Sequence, residues 1–276
     1  MNCLPIDKKK QVILALVEGN SIRSIERMTG VNRNTIMTQM KRVGAGCKKL
    51  LDEKMKNLDC EALQVDEIWT FVQKKQKSLS AQEKELRDDI GDQYVFVALD
   101  AKTKIIPSFL VGKRNGDTTF KFITDLKSRL NGIRPQLTTD GYRPYVDAIE
   151  FVFGCNVDYA QLIKLYEGKS LDDHKYSPPK VKGTQKKRIM GKSDRKKIST
   201  SYIERQNLTM RMQMRRFTRS TNAFSKKLEN LKAALYLHFA FYNFVRVHRT
   251  LRVTPAMEAG ITDRLWEVED LFDYGC

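Results

Sequence analysis

The hydrophobic pattern of this chain changes period once, and that change decides what it can fold into. Up to residue 43 the apolar residues recur at helical spacing; in DKKKQVILALVEGN, Val12, Ile13, Leu16 and Val17 form one stripe. Beyond residue 60 they come in short runs bounded by turn residues, which is the mark of strands: ALQVDEIWTFV, QYVFVALD, KIIPSFLVG, RPQLTTDGY and NVDYAQLIKLY. Two helical segments, DTTFKFITDLKSRLN and YRPYVDAIEFVF, separate the later runs. The pattern therefore predicts an all-α module followed by an α/β domain with a mixed central sheet.

The order is three strands, helix, strand, helix, strand and a helical tail. It fits an RNase H-like domain, although other α/β folds give similar strings. Pro107 weakens the middle of the third strand, because proline cannot donate to a sheet ladder. AALYLHFAFYNFV is too short to span a bilayer, which takes about 18 residues or more, and it reads as a buried helix. VILALV near the N-terminus lacks a cleavage site and does not read as a signal peptide.

In the first module, Gly19-Asn20 ends one helix, Ser21 caps a second, and Asn32 starts a third after the turn Thr29-Gly30-Val31. This spacing is that of a helix-turn-helix, whose second paired helix enters the DNA major groove. Arg33, Asn34, Thr35 and Gln39 are the residues placed to touch DNA; the plainer alternative is a three-helix bundle with a polar outer face. Val43-Gly44-Ala45-Gly46 is expected to break the third helix. The division that follows is a DNA-binding module over 1–46, a linker helix over 47–60 and a catalytic domain over 61–276.

Charge narrows the partner. Lys and Arg number 50 against 33 Asp and Glu, a net +17, which favours a polyanion. Residues 169–200 read as a basic insertion: nine Lys or Arg lie between Lys180 and Lys197, including Lys186, Lys187 and Arg188, with Asp194 the one acid. Pro178-Pro179, Gly183 and Gly191 predict irregular, solvated chain there, able to close over DNA phosphates. The five cysteines are odd in number and scattered, with no CxxC pair. That argues against a disulfide framework or a zinc ribbon and points to a reducing compartment, the cytoplasm.

Against this basic background a few carboxylates stand out. Asp66 lies inside the first strand, with Glu67 beside it, and Asp140 ends the fourth, where Asp-Gly is also a common turn dipeptide. Asp100 ends another strand and reads as a turn residue. Glu204 is the one acid between Thr200 and Leu228, a stretch with seven Lys or Arg. On a helix beginning there, Arg211 and Arg215 fall within roughly 20° of Glu204 and are placed to bind DNA phosphates, while Met210, Met214 and Phe217 take a core face. Carboxylates converging from separate elements are what two-metal phosphoryl transfer needs, and hard oxygen ligands select Mg2+ or Mn2+ over zinc.

VDEIWTFV, TTDGYRPY, ERQNLTMR with RRFTRSTNAFSKK, and YNFVRVHRTLRVTPAMEAGI together resemble the transposases of the insertion-sequence-one family, within the DDE transposase and retroviral-integrase superfamily. The likeness covers most of residues 60–262. It implies an RNase H-like catalytic domain, a metal-binding and catalytic triad at Asp66, Asp140 and Glu204, and a basic catalytic partner at Arg211. It also implies His248 on a terminal helix beside the active site. Family members often carry a cysteine-rich zinc finger ahead of the helix-turn-helix; this chain has none, so no structural zinc is expected. The implied activity is cleavage and joining of double-stranded DNA at the inverted-repeat ends of an insertion element, in a bacterial or archaeal cell. Two ends must be paired, so a homodimer or larger assembly on DNA is expected. A transposase-derived DNA-binding regulator without catalysis and another RNase H-like nuclease are the alternatives.

Overall fold

The computed structural model describes residues 4–167 and 181–275. Helices α1 (Ile6–Val17), α2 (Ile22–Thr29) and α3 (Arg33–Lys54) come first. Strand β1 (Ala62–Val72), helix α4 (Ala81–Leu86) and strands β2 (Gly91–Asp100) and β3 (Phe109–Gly112) follow. Next are helix α5 (Gly116–Arg129), strand β4 (Gln136–Thr139), helix α6 (Pro144–Phe153), and strands β5 (Asp158–Tyr166) and β6 (Val181–Met190). Helices α7 (Ser201–Gln213), α8 (Leu228–Ala240) and α9 (Pro255–Glu258) complete the order. None of the helices among the described residues is long and apolar enough to cross a membrane.

The six strands form one mixed sheet in the order β3-β2-β1-β4-β5-β6. β1, β2 and β3 are antiparallel neighbours, β4 and β5 join parallel, and β6 closes the far edge antiparallel to β5. This arrangement fits the RNase H-like expectation. Cross-strand pairs fix the faces, since directly opposed residues share one side. Phe96 faces Phe122 of α5 and Tyr145 of α6. Phe109, paired with Val97, faces Tyr236 and Phe239 of α8. The sheet is thus covered on both sides, which is why β2 from Val95 to Asp100 is buried without alternation.

Several local expectations change. Val43–Gly46 does not break the helix: α3 runs unbroken from Arg33 to Lys54. The glycine there serves packing, because a Cβ on Gly44 would lie 2.4 Å from the Ala233 carbonyl oxygen of α8. The third strand is shorter than its apolar run. Residues 104–108 lie outside it, and Asn243 holds them by accepting from the Ile106 N–H and donating to the Ile106 carbonyl, both at 3.0 Å. Asn243 reaches them from a π-helical turn, Phe241–Val245, that extends the buried α8. The described part of the basic insertion is also ordered: Val181–Met190 is a full strand, because the open edge of β5 supplies partners for its backbone groups. Residues 169–180 of that insertion lie outside the described residues.

The α3–α8 contact yields a stability prediction. Gly44→Ala gains about 1 kcal/mol of helix propensity, yet overpacking against backbone costs about 1–3 kcal/mol. Urea unfolding should show a net loss of up to about 2 kcal/mol. A higher midpoint for the variant would mean that the two helices do not meet at Gly44.

Candidate active site

The site forms where β1 loses a neighbour. β1 and β4 pair only from Ala62↔Gln136 to Gln64↔Thr138. β4 then ends at Thr139, so the following residues of β1 have an open edge on that side. Asp66 and Glu67 are the residues that meet this gap, and Asp140 comes off the end of β4 into it. Asp66 is paired with Val97 and lies on the α7 side of the sheet, whereas Glu67 is paired with Phe96 and lies on the α6 side. Even so, carboxylate oxygens of Asp66, Glu67 and Asp140 come within 4.8 Å of one another. Asp140 follows the last residue of β4 paired with β1 by two positions, level with Asp66, and so stands beside both β1 side chains.

Each acid is held. Asp66 accepts from the Glu67 backbone N–H at 2.8 Å and from the Asn207 side chain of α7 at 2.9 Å. Asp140 accepts from the Tyr142 N–H at 2.8 Å. Arg114 stands over the pair from the loop before α5. Its Nε is 3.6 Å from Glu67, its Nη2 is 4.0 Å from Asp140, and its guanidinium lies on the Tyr142 ring, 4.0 Å from the centroid. The Glu67 side chain is only 3% exposed, against 43% for Asp140, and the buried Tyr145 hydroxyl adjoins it.

Burial and like charge shift both β1 carboxyls. Asp66 is pushed up to about 6, chiefly by burial, with Asp140 and Glu204 adding repulsion and its two hydrogen bonds opposing. Glu67 is pushed up to about 8 by burial, then by Asp140, with Arg114 opposing and Asp66 adding a smaller push. Carboxylates crowded this closely are relieved by a cation. An all-oxygen donor set fits a divalent metal of the magnesium or manganese type.

Glu204 stands apart from the three-acid group. It sits in the first turn of α7, where it pairs with Lys164 of β5 at 2.6 Å and accepts from Thr200 Oγ1 at 2.5 Å. It is still close enough to raise Asp66. The start of α7 is tied to β1 by Gln64, whose side-chain oxygen accepts from the free N–H groups of Tyr202 and Ile203 at 2.9 and 3.1 Å. One strand thus carries Asp66 and, two residues earlier, the anchor for the helix that bears Glu204 and Asn207. Gln64, Asn207 and Arg114 were not singled out from the sequence; all three act through tertiary contacts that no local pattern announces.

Other residues fall as follows. Arg211 is half-buried, donates to the Phe217 carbonyl at 3.5 Å, and is lowered by burial and by Arg219. Arg215 does not continue the Glu204 face: α7 ends at Gln213, Met214 is extended, and Arg215 begins a separate 3-10 turn. Met210, Met214 and Phe217 are buried. Arg33 and Asn34 are exposed at the start of α3, while Thr35 and Gln39 are half-buried. Lys186, Lys187 and Arg188 are exposed on β6, where strand alternation turns Lys187 away from the other two. Asp100 is buried as a turn organiser, accepting from Lys102, Thr103 and Ala62 backbone N–H groups. His248 lies beyond the last turn of the π-helix, not on a helix, with the cations Lys104 and Arg246 as its charged neighbours.

Two predictions follow from this geometry. Gln64→Leu strands two N–H groups and should lower stability by about 1–3 kcal/mol in urea unfolding; an unchanged midpoint would remove Gln64 as the α7 anchor. The second concerns pH. Because Asp66 and Glu67 hold protons to a higher pH folded than unfolded, the native state binds more protons between about pH 4 and 8, so stability falls as pH rises through that window. Metal-free protein should melt lower at about pH 8 than at about pH 5.5, and Mn2+ should restore the loss. Glu67→Gln should flatten the profile; a wild-type profile that rises instead would contradict the crowded cluster.

No family model matches the chain, and no curated protein matches it. Among solved structures it is similar to the Mos1 pre-cleavage transpososome, at 13% identity and a TM-score of 0.25, over 58% of this chain and 60% of that one. It is similar to the Mos1 transposase paired-end complex with the left transposon end, at 15% identity and a TM-score of 0.24, over 58% and 60%. It is also similar to the piggyBac transposase synaptic complex with hairpin DNA, at 8% identity and a TM-score of 0.43, over 99% of this chain and 71% of that one. The chain thus spans about 60% of the length of the Mos1 chains it matches.

Proposed function

We propose that the protein is a DNA transposase of the insertion-sequence-one type, cutting and joining DNA at the inverted-repeat ends of its element. The observation that carries this reading is the meeting of Asp66, Glu67 and Asp140 at the open edge of β1, in a chain of net charge +17. Asp66 and Asp140, joined by Glu204 once it is released from Lys164 and Thr200, are the residues that would hold a divalent metal, Mg2+ or Mn2+. Bound there, the metal would activate an attacking oxygen and stabilise a leaving one at phosphorus.

The chain's own groups divide the remaining work. Arg114, reaching between Glu67 and Asp140, orients a phosphate at the acids. Glu67 keeps its proton near neutrality in the metal-free protein and so limits the negative charge an incoming phosphate meets. Asn207 and Gln64 hold Asp66 and α7 in register. Lys186 and Arg188 on β6 and Arg211 on α7 supply backbone charge. The N-terminal unit, 1–46, contacts the element ends through Arg33, Asn34, Thr35 and Gln39. Pairing of two ends calls for two copies of the chain or more.

A regulator that binds DNA without cutting it is the second reading. It is favoured by the engagement of Glu204 with Lys164 and Thr200 instead of with the acid group.

Cleavage of a supercoiled plasmid carrying the element's ends tests both. Wild type should nick it with Mg2+ or Mn2+, and Asp66→Asn, Asp140→Asn and Glu204→Gln should each lose on the order of 100-fold or more. Full cleavage by Asp140→Asn and Glu204→Gln sinks the transposase assignment. Loss in Glu67→Gln with retention in Glu204→Gln moves the site to the three clustered acids. End-specific binding with no metal-dependent nicking selects the regulator.

A further inference from the structure

A second feature lies at the other end of β1. A cleft of about 900 Å³ opens between the N-terminal helices and the chain that follows α7. α2 contributes Arg23, α3 contributes Arg33, and the segment after α7 contributes Arg215, Arg216 and Lys226. No Asp or Glu is among the described residues that line it. Elsewhere the chain pairs arginines readily: Arg87 with Asp89, Arg129 with Asp52 and Asp125, Arg134 with Asp158, Arg264 with Asp270.

Arg216 is the strongest sign of a ligand. The residue as a whole is half-buried, and its guanidinium lies inside, with Nη2 2.9 Å from Met40 Sδ and 4.0 Å from Met37 Sδ. A thioether is a weak acceptor and carries no charge. Burial draws the Arg216 pKa down to about 10, and among the described residues no carboxylate offsets it. A guanidinium withdrawn from water without a counter-ion is costly, and an anion entering the cleft removes that cost. Arginine's planar fork suits phosphate oxygens, and the spread of the other four cations suits a chain of phosphates better than one ion.

We propose that this cleft binds the phosphodiester backbone of DNA, with Arg216 taking a phosphate at the inner wall and Arg23, Arg33, Arg215 and Lys226 taking its neighbours along the rim. The proposal rests on the reading of the protein as one that acts on DNA. It assigns Arg33 to the backbone and not to a base edge. The position is suitable: Ser225 of the cleft bridges to Val72 of β1, six residues from Asp66, or roughly 20 Å along the strand. One stretch of duplex spans both places, and a strand seated in the cleft joins α2 and α3 to the catalytic body.

Arg216→Met tests it with the full-length protein. The free variant should melt no lower than wild type, since it loses an uncompensated buried charge. Its affinity for a duplex bearing an element end should fall on the order of 10-fold, and the slope of log K against log salt should shrink by about 0.9. The exposed pair Arg23→Gln with Lys226→Gln, which leaves the interior untouched, should shrink the slope by about 1.8. Equal affinity and slope in both variants overturn the cleft while leaving DNA binding by wild type intact. Failure of wild type to bind any duplex overturns the DNA reading, and this proposal with it. If inorganic phosphate or a mononucleotide raises the Tm of wild type but not of Arg216→Met, while the DNA slope stays the same, the ligand is a free phosphate and the backbone assignment falls.

Discussion

The rest of the site depends on how β1 and β4 pair. Three residue pairs hold them together before β4 ends at Thr139. Alternation sends Asp66 and Glu67 toward opposite faces of β1, yet the gap beyond those pairs lies beside both, and Asp140 emerges into it. The parallel pairing that precedes the gap is equally necessary, because it fixes β4 in register and thereby sets where Asp140 appears. Gln64, on the last paired residue of β1, fastens α7 at the same level.

Charge is distributed in two opposite states of want. Around β1 and β4 the carboxylates are crowded, so that burial and mutual repulsion keep protons on Asp66 and Glu67 well above the ordinary carboxylate range. In the cleft near the end of β1, cations gather with no acid among the described residues that line it. Each region is poor in the charge the other has in excess, yet the fold keeps them separate. A phosphate chain accompanied by metal ions carries both signs, the complement of both regions.

Much of the architecture could be read from the residues because it rests on periodicity. The helix α1, the strand series and the buried α8 follow from apolar spacing, the starts of α2 and α3 from the capping residues Ser21 and Asn32, and the Asp100 turn from its neighbours. What escaped was set by distant contacts. Gly44 looked like a helix breaker because its partner, Ala233, is far along the chain. Arg215 seemed to extend the Glu204 face because nothing local marks the end of α7 at Gln213. The glycine at 183 suggested irregular chain, but the free edge of β5 imposed a strand. Simple alternation sends Glu67 away from Asp66, and nothing local marks that their carboxylates meet at Asp140.

The unbroken α3 has a mechanical consequence. Its 22 residues make a rod about 33 Å long with no hinge along it. One end carries Arg33 at the cleft, and the other runs into the turn that leads to β1. Its middle is clamped to α8 by the close approach at Gly44. Such a rod acts as a gauge: it sets a fixed distance between whatever engages its first turn and the acids at the start of the sheet. Any tilt imposed at the N-terminal end is passed to the core as a whole, since a helix fixed at mid-length has nowhere to bend.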